Sequence, residues 1–337
     1  MPRVSTLIPT YNRADHVGGA VETALNQTYD DIEVVVVDDG STDATRDVLA
    51  DYADHDSVRV RHNERNRGIA YTFNRAADVA RGDLYCILGD DDRWHPEKVA
   101  RQVQRLEALP DEYGVVYTGG VQTLAGDGRV VAYFHPDRRG DIYPEILRSF
   151  GLTPHSSHMI RREYFEAVGG FDTDFPYGVD WEMNIRLARQ CKYEYLPEPL
   201  VNHRVHDDNV STGMGTQSTL YRWIRDRFSE AYEQHPTVDR RMRHELHRLS
   251  AHDAMTRGDR RAAFDHCVSA LRADPRGRTG VLLLTILLGH QSYRAVMSAR
   301  ETVEAVTDLV DEITRTANPA ATGSSFERKA HQWWGPA

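Results

Sequence analysis

The stretch Leu84-Tyr85-Cys86-Ile87-Leu88-Gly89-Asp90-Asp91-Asp92-Arg93-Trp94 decides how this 337-residue chain is read. Its first five residues form an apolar run with the length and composition of a buried strand. The run stops at Gly89 and three consecutive carboxylates. Adjacent like charges repel, so a fold that keeps them at the end of a core strand needs a counter-charge. A divalent cation is the simplest one. In an extended backbone side chains alternate, which places Asp90 and Asp92 on one side and Asp91 on the other. Oxygen ligands of this kind suit Mg²⁺ or Mn²⁺. The competing reading is a solvated acidic turn in an acidic protein.

Upstream of this strand the pattern alternates. Residues 4–8 read as a strand that ends in Pro9-Thr10-Tyr11-Asn12-Arg13. Asp15 then stands where a helix cap belongs, and Val17, Val21, Ala24 and Leu25 recur at helical spacing to about Asn26. Residues 32–37 are a β-branched run of the kind found in strands buried on both faces. That run ends in Asp38-Asp39-Gly40-Ser41-Thr42-Asp43. Helices are expected over 44–53, 70–81 and 96–109, with a short strand at 58–61. This βαβα order argues for a parallel sheet with helices on both faces. In such sheets ligands bind beyond the carboxyl ends of the strands. Three polar turns, at 9–13, 38–41 and 90–92, would meet at that edge. Neither Gly-x-Gly-x-x-Gly nor Gly-x-x-x-x-Gly-Lys-Ser/Thr occurs, which argues against dinucleotide dehydrogenases and P-loop NTPases.

Beyond Gly114 the pattern becomes mixed, with strands expected at 115–119, 129–134, 158–161, 193–196 and 201–205 and helices at 163–168 and 180–190. Gly169-Gly170 marks a helix C-terminus. From about 216 the chain reads as helical, over 216–233, 238–256, 260–273, 279–288 and 292–317. Residues 249–275 resemble a single tetratricopeptide-like helix pair. The expected division is a domain at 1–212 (halves 1–112 and 113–212), a helical region at 213–318 and a flexible tail at 319–337.

Composition sets outer limits. The chain is 40% hydrophobic and 27% charged, as expected of a globular protein, and its net charge of -10 argues against a nucleic-acid partner. The three cysteines, Cys86, Cys191 and Cys267, have no metal spacing and fit a reducing cytoplasm. The N-terminus enters a strand directly, and no apolar run is long enough to span a bilayer. Residues 238–278 carry ten arginines against six acids. They are either solvated helix faces or a contact with anionic lipid at the inner face of the membrane. Oligomeric state is not legible.

Taken in order, residues 4–12, Gln27-Thr28, 34–43, Asn66 with Gly68 and Asn74, Gly82-Asp83, Asp90-Asp91-Asp92 with Trp94, Gly169-Gly170-Phe171-Asp172, Asp180-Trp181, and His206 with Asn209 and Ser211 resemble the inverting glycosyltransferases of family 2. The match covers residues 1–212. It departs from the family at Gly89, often an Asp there, and at Val179, usually a Glu.

The resemblance implies a GT-A fold: Rossmann-like, with a mostly parallel central sheet flanked by helices, here followed by a C-terminal α-helical extension. It implies a nucleotide-diphosphate sugar donor, most readily a UDP-sugar, and a glycan, glycolipid or lipid-linked acceptor. It also implies Mn²⁺ or Mg²⁺ at Asp90, Asp92 and His206, and donor contacts from Pro9, Tyr11, Asn12, Asp39, Asn66, Gly68, Asp90 and Asp91. In that scheme Asp39 reads the base, Tyr11 stacks on it, Asp91 meets the ribose, Arg13 or Arg67 reaches phosphate, and Asp180 is the general base with Glu182 in reserve. Each has a plainer reading. Asp38–Asp43 would be an Asx turn, Tyr11 a partly buried ring, Asp180 a helix cap and His206 a surface histidine. Two other functions remain open: a sugar-nucleotide pyrophosphorylase, whose Gly-rich N-terminal loop is missing here, and a sugar-nucleotide-binding scaffold without transfer activity.

Overall fold

The computed structural model describes residues 3–152, 154–206, 217–275, 283 and 324–335. Helices expected at 279–288 and 292–317, and Asn209 and Ser211, lie outside the described residues. The chain divides into two units. The first contains residues 1–146, 150–212 and 325–337, and the second 147–149 and 213–324.

In the first unit, β1 (Val4–Thr10), β2 (Ile32–Asp38), β3 (Val58–His62) and β4 (Leu84–Ile87) are parallel. Their connections are α1 (Val17–Leu25), α2 (Thr45–Ala50) and α3 (Ile69–Val79). β1 and β2 are buried along their whole length, as their unbroken apolar and β-branched runs require. Pro9 is tolerated in this central strand because its nitrogen faces β4, whose pairing with β1 has already ended at Leu7. β5 (Arg93–Trp94), α4 (Lys98–Glu107), β6 (Tyr113–Leu124), β7 (Val130–Phe134), β8 (Met159–Arg161), α5 (Arg162–Ala167), α6 (Val179–Ala188) and β9 (Lys192–Val205) follow. The sheet runs β3-β2-β1-β4-β8-β6-β9-β5, with β7 also on β6. β8 is antiparallel to both neighbours, and β6 and β9 are parallel.

Four differences from expectation have physical causes. Asp15 does not cap α1; the cap position is His16, without a side-chain bond. The strands expected at 193–196 and 201–205 are one strand, β9, whose pairing with β6 slips around Pro199. The helix expected over 216–233 is broken at Phe228 into α7 (Gln217–Arg227) and α8 (Ser229–Gln234). The tail expected to be flexible forms a helix at Ser325–Trp334. Its Phe326 is buried, the Trp334 indole donates to Pro199 O at 2.6 Å, and Lys329 pairs with Glu198. These aromatic contacts outweigh the Ser/Gly/Ala composition that precedes them.

In the second unit α9 (Pro236–Thr256) and α10 (Arg260–Ala273) form the expected helix pair. Gly258 turns between them at φ 83°, and Ala251, Ala254 and Met255 pack on Ala263 and Cys267. The C-terminal helix of the first unit is α11. No helix among the described residues is long and apolar enough to cross a membrane.

Candidate active site

The parallel strands deliver the three polar turns to one edge of the sheet. The first two interlock. Asn12 takes a left-handed backbone (φ 53°), donates its amide to Ser41 Oγ at 2.8 Å and accepts from Thr42 N at 2.8 Å. Asp43 accepts from Ala14 N and Thr45 N. Asp38 is fully buried. Burial pushes its carboxyl up, but hydrogen bonds from Ser41, His62 and Arg46 more than reverse this and hold it below its ordinary value.

Asp39, also buried, accepts from Asn63 Nδ2 at 2.6 Å, from Arg67 N at 2.9 and 3.0 Å, and from Gly68 N at 2.8 Å. It therefore folds the loop before α3 onto β2. Three N–H donors, with Arg67 N shared between both oxygens, thus occupy most of a carboxylate's about four lone-pair sites. Asn66 Oδ1 accepts from Gly68 N at 3.0 Å, and Gly68 needs its φ of 89° to start α3. Tyr11 is exposed and Pro9 is buried in β1. The Arg67 guanidinium lies 3.8 Å from the Tyr71 ring centroid.

The acidic triplet is not extended. Asp92 N donates to Gly89 O at 3.2 Å, and this turn sends the three side chains three ways, correcting the expectation that Asp90 and Asp92 share a side. Asp90 faces Arg13, with Oδ1 3.9 Å from Nε. Asp91 Oδ2 lies 3.1 Å from His206 Nε2. Asp92 is buried between Ser156 Oγ, which donates to its Oδ2, and His203 Nδ1, 2.9 Å from its Oδ1. Gly89 N donates to the same Ser156 Oγ at 2.9 Å, and Trp94 Nε1 donates to Ser156 O at 2.8 Å. Below, the Arg93 guanidinium lies across Gly19, where a Cβ would come within 2.1 Å of it.

The electrostatics are those of a crowded acidic pocket. Burial, then the Asp91 charge, pushes the Asp90 carboxyl up to about 7. Burial and Asp92 push Asp91 up as well. His203 is pulled down by burial, but the Asp92 charge and hydrogen bond raise it to about 8. Among the described residues no three His, Cys, Asp or Glu side chains are gathered tightly enough to hold an ion unaided. The donor set still fits a hard divalent cation. Carboxylate oxygens and imidazole nitrogens are the ligand types such an ion takes, and Asp91 meets His206 while Asp92 meets His203.

On the far side, Asp180 lies in the first turn of α6, whose cap position is Gly178 at φ 75°. Asp180 is therefore not the cap. Its Oδ1 accepts from Trp181 N at 2.9 Å, while the Trp181 indole anchors to Ile146 O. Glu182, expected in reserve as a base, is fully buried and held by two bonds from Arg186. Asn74 clamps Phe171 through both its N and O, tying α3 to the loop before Asp180.

His203 escaped the sequence reading, and the stretch 151–158, which holds His155 and Ser156, was expected only to shape the acceptor side. Their only sequence signal is a histidine- and serine-rich turn, Pro154-His155-Ser156-Ser157-His158, and a second histidine three residues before His206.

Residues 5–169 match the family described as Glycosyl transferase family 2. An uncharacterized glycosyltransferase of Rickettsia felis is 31% identical over 218 residues, covering 62% of this chain and 35% of that protein. The chain thus spans about a third of that relative's length. The structure is similar to that of S. aureus TarS 1-349 in complex with UDP-GlcNAc, with TM-score 0.61 and 17% identity, covering 90% of this chain and 92% of that one. It is also similar to the mannosyltransferase PcManGT from Pyrobaculum calidifontis in complex with GDP-Man and Mn²⁺, with TM-score 0.55 and 19% identity over 92% and 88% of the two chains. At these identities the solved structures establish the fold, which is GT-A. By its motifs, its sheet and these matches, the chain is similar to glycosyl transferase family 2 over residues 5–169.

Proposed function

We propose that this protein transfers a sugar from a nucleotide diphosphate, most readily UDP, to a hydroxyl of a glycan, glycolipid or lipid-linked acceptor, with inversion. One observation carries the reading. Three polar turns at the carboxyl edge of a parallel sheet surround a buried carboxylate cluster, which His203 and His206 meet from β9 and just beyond it. A nucleoside diphosphate is an anion that such a cluster would repel unless a cation lay between them.

Asp91, Asp92 and His206 would hold that cation, and diphosphate oxygens would complete its ligands. When bound, it supplies Lewis-acid neutralisation of the leaving group. Ser156 and His203 fix Asp92, so it need not reorganise as charge develops. Asp39 offers its remaining lone pair to a base N–H, and Tyr11 offers an exposed ring for stacking. Asp180 takes the acceptor's hydroxyl proton as that oxygen attacks the anomeric carbon from behind. The bond from that carbon to phosphate oxygen breaks, and the nucleoside diphosphate leaves with its electron pair.

The test is release of UDP from UDP-sugars with Mn²⁺, with and without EDTA. EDTA should abolish it. Asp180→Asn should lower acceptor-dependent turnover at least 10²-fold while UDP affinity stays within about threefold. Normal turnover in Asp180→Asn would remove Asp180 as the base, and EDTA-resistant turnover would remove the metal.

A further inference from the structure

The short helical turn His155–Ser157 is fixed without help from the His155 side chain. Ser156 Oγ grips Asp92, Trp94 holds Ser156 O, and Gln102 Nε2 donates to Ser157 O at 2.8 Å. The His155 ring is nonetheless carefully seated. Phe171 stands edge-on with centroids 5.8 Å apart, Phe73 edge-on at 6.3 Å, and His158 at 4.8 Å. Its Nε2 is buried and has no hydrogen-bond partner among the described residues. Buried polar nitrogens in folded proteins nearly always have one.

The ring's place suggests the missing partner. One residue on, Ser156 touches Asp92, which belongs to the donor diphosphate in the reading above. The ring also packs on Phe171, in the loop that leads to Asp180, whose charge acts on it. The anomeric carbon has to lie between diphosphate and base, so a side chain on the turn that holds Asp92, packed against the loop that leads to Asp180, is placed to meet the sugar. Burial keeps this imidazole neutral. A neutral imidazole nitrogen donates or accepts according to tautomer, and a sugar hydroxyl can do either. His158 Nε2, likewise buried and unpartnered among the described residues, belongs to the core: its ring is fully buried and stacked on Tyr117.

We infer that His155 is a specificity-determining residue whose Nε2 hydrogen-bonds a hydroxyl of the sugar being transferred. The inference rests on the donor reading proposed above. It is tested without knowledge of the acceptor, by calorimetric titration of UDP, UDP-glucose, UDP-galactose and UDP-N-acetylglucosamine with Mn²⁺ into wild type, His155→Ala and His155→Gln. Wild type should bind at least one UDP-sugar more tightly than UDP. His155→Ala should keep its UDP affinity within twofold and lose that sugar's affinity fivefold or more, with His155→Gln in between. If either folded variant keeps the wild-type ratio of sugar to UDP affinity, the inference fails. It also fails if UDP and UDP-sugar weaken by the same factor, or if no UDP-sugar outbinds UDP in wild type. Absence of any nucleotide binding by wild type would instead overturn the donor reading itself.

Discussion

Asp39 is a scaffold residue to which the proposed function adds a donor contact. Removing its carboxylate strands the Arg67 amide and Asn63 Nδ2, both now bonded to it, and leaves the Gly68 amide only Asn66 Oδ1. Asp39→Ala should cost about 2–4 kcal/mol. A lowered thermal midpoint together with weaker UDP binding is the expected result; an unchanged midpoint would mean the loop is held elsewhere. The acidic cluster gives a pH dependence whose sign follows from two groups. The folded-state carboxyl of Asp90 is raised to about 7, so its ionisation opposes folding increasingly as pH climbs toward 7. His203 is raised to about 8, so its pairing with Asp92 stabilises fully below about 6.5 and is lost as pH rises through 8. Both act in one direction. The metal-free protein should melt lower at pH 8.5 than at pH 6, and Mn²⁺ should raise the midpoint more at pH 8.5. A flat profile in EDTA would contradict this assignment of charge.

At the scale of elements, α11 is the least anticipated part. Phe326 fills the space above Gly119, where a Cβ would lie 2.4 Å from the ring, and His331 Nε2 meets Tyr133 OH at 2.8 Å. Trp333 stacks near His95 with centroids 4.2 Å apart. Deleting residues 325–337 should cost about 3 kcal/mol or more, since it uncovers several aromatic side chains at about 1.5–3 kcal/mol each. Gly119→Ala should loosen the same helix, seen as faster amide exchange confined to residues 325–334. Unaltered exchange would show that α11 is not seated on Gly119. A ten-residue helix is marginal alone and forms through its docking, so its sequence carried little signal. The β1–α1–β2 and β4 elements were legible because fully buried parallel strands are written as unbroken apolar runs. β9 was not, because Pro197 and Pro199 interrupt a strand whose pairing slips around Pro199.

Over the whole molecule, legibility follows the range of the interactions. Asp39, Asp90, Asp91 and Asp92 end their strands, so local pattern located them. The direction each of the last three faces depends on a turn bond and on partners more than sixty residues away, such as Ser156 and His203 for Asp92. His206, just beyond β9, was expected from the resemblance, while His203, three residues earlier and on the strand, was invisible until β9 paired with β5 and β6. The separate parts converge on a single claim: the buried carboxylates at the end of β4 exist to meet a diphosphate through a divalent ion. The most direct measurement is a crystal of the protein with Mn²⁺ and UDP-N-acetylglucosamine or UDP, with anomalous scattering recorded at the manganese edge. The expected result is one manganese peak against Asp91, Asp92 and His206, with the diphosphate on its other side. A nucleotide bound elsewhere, or a diphosphate at this edge with no metal beside the aspartates, would contradict it.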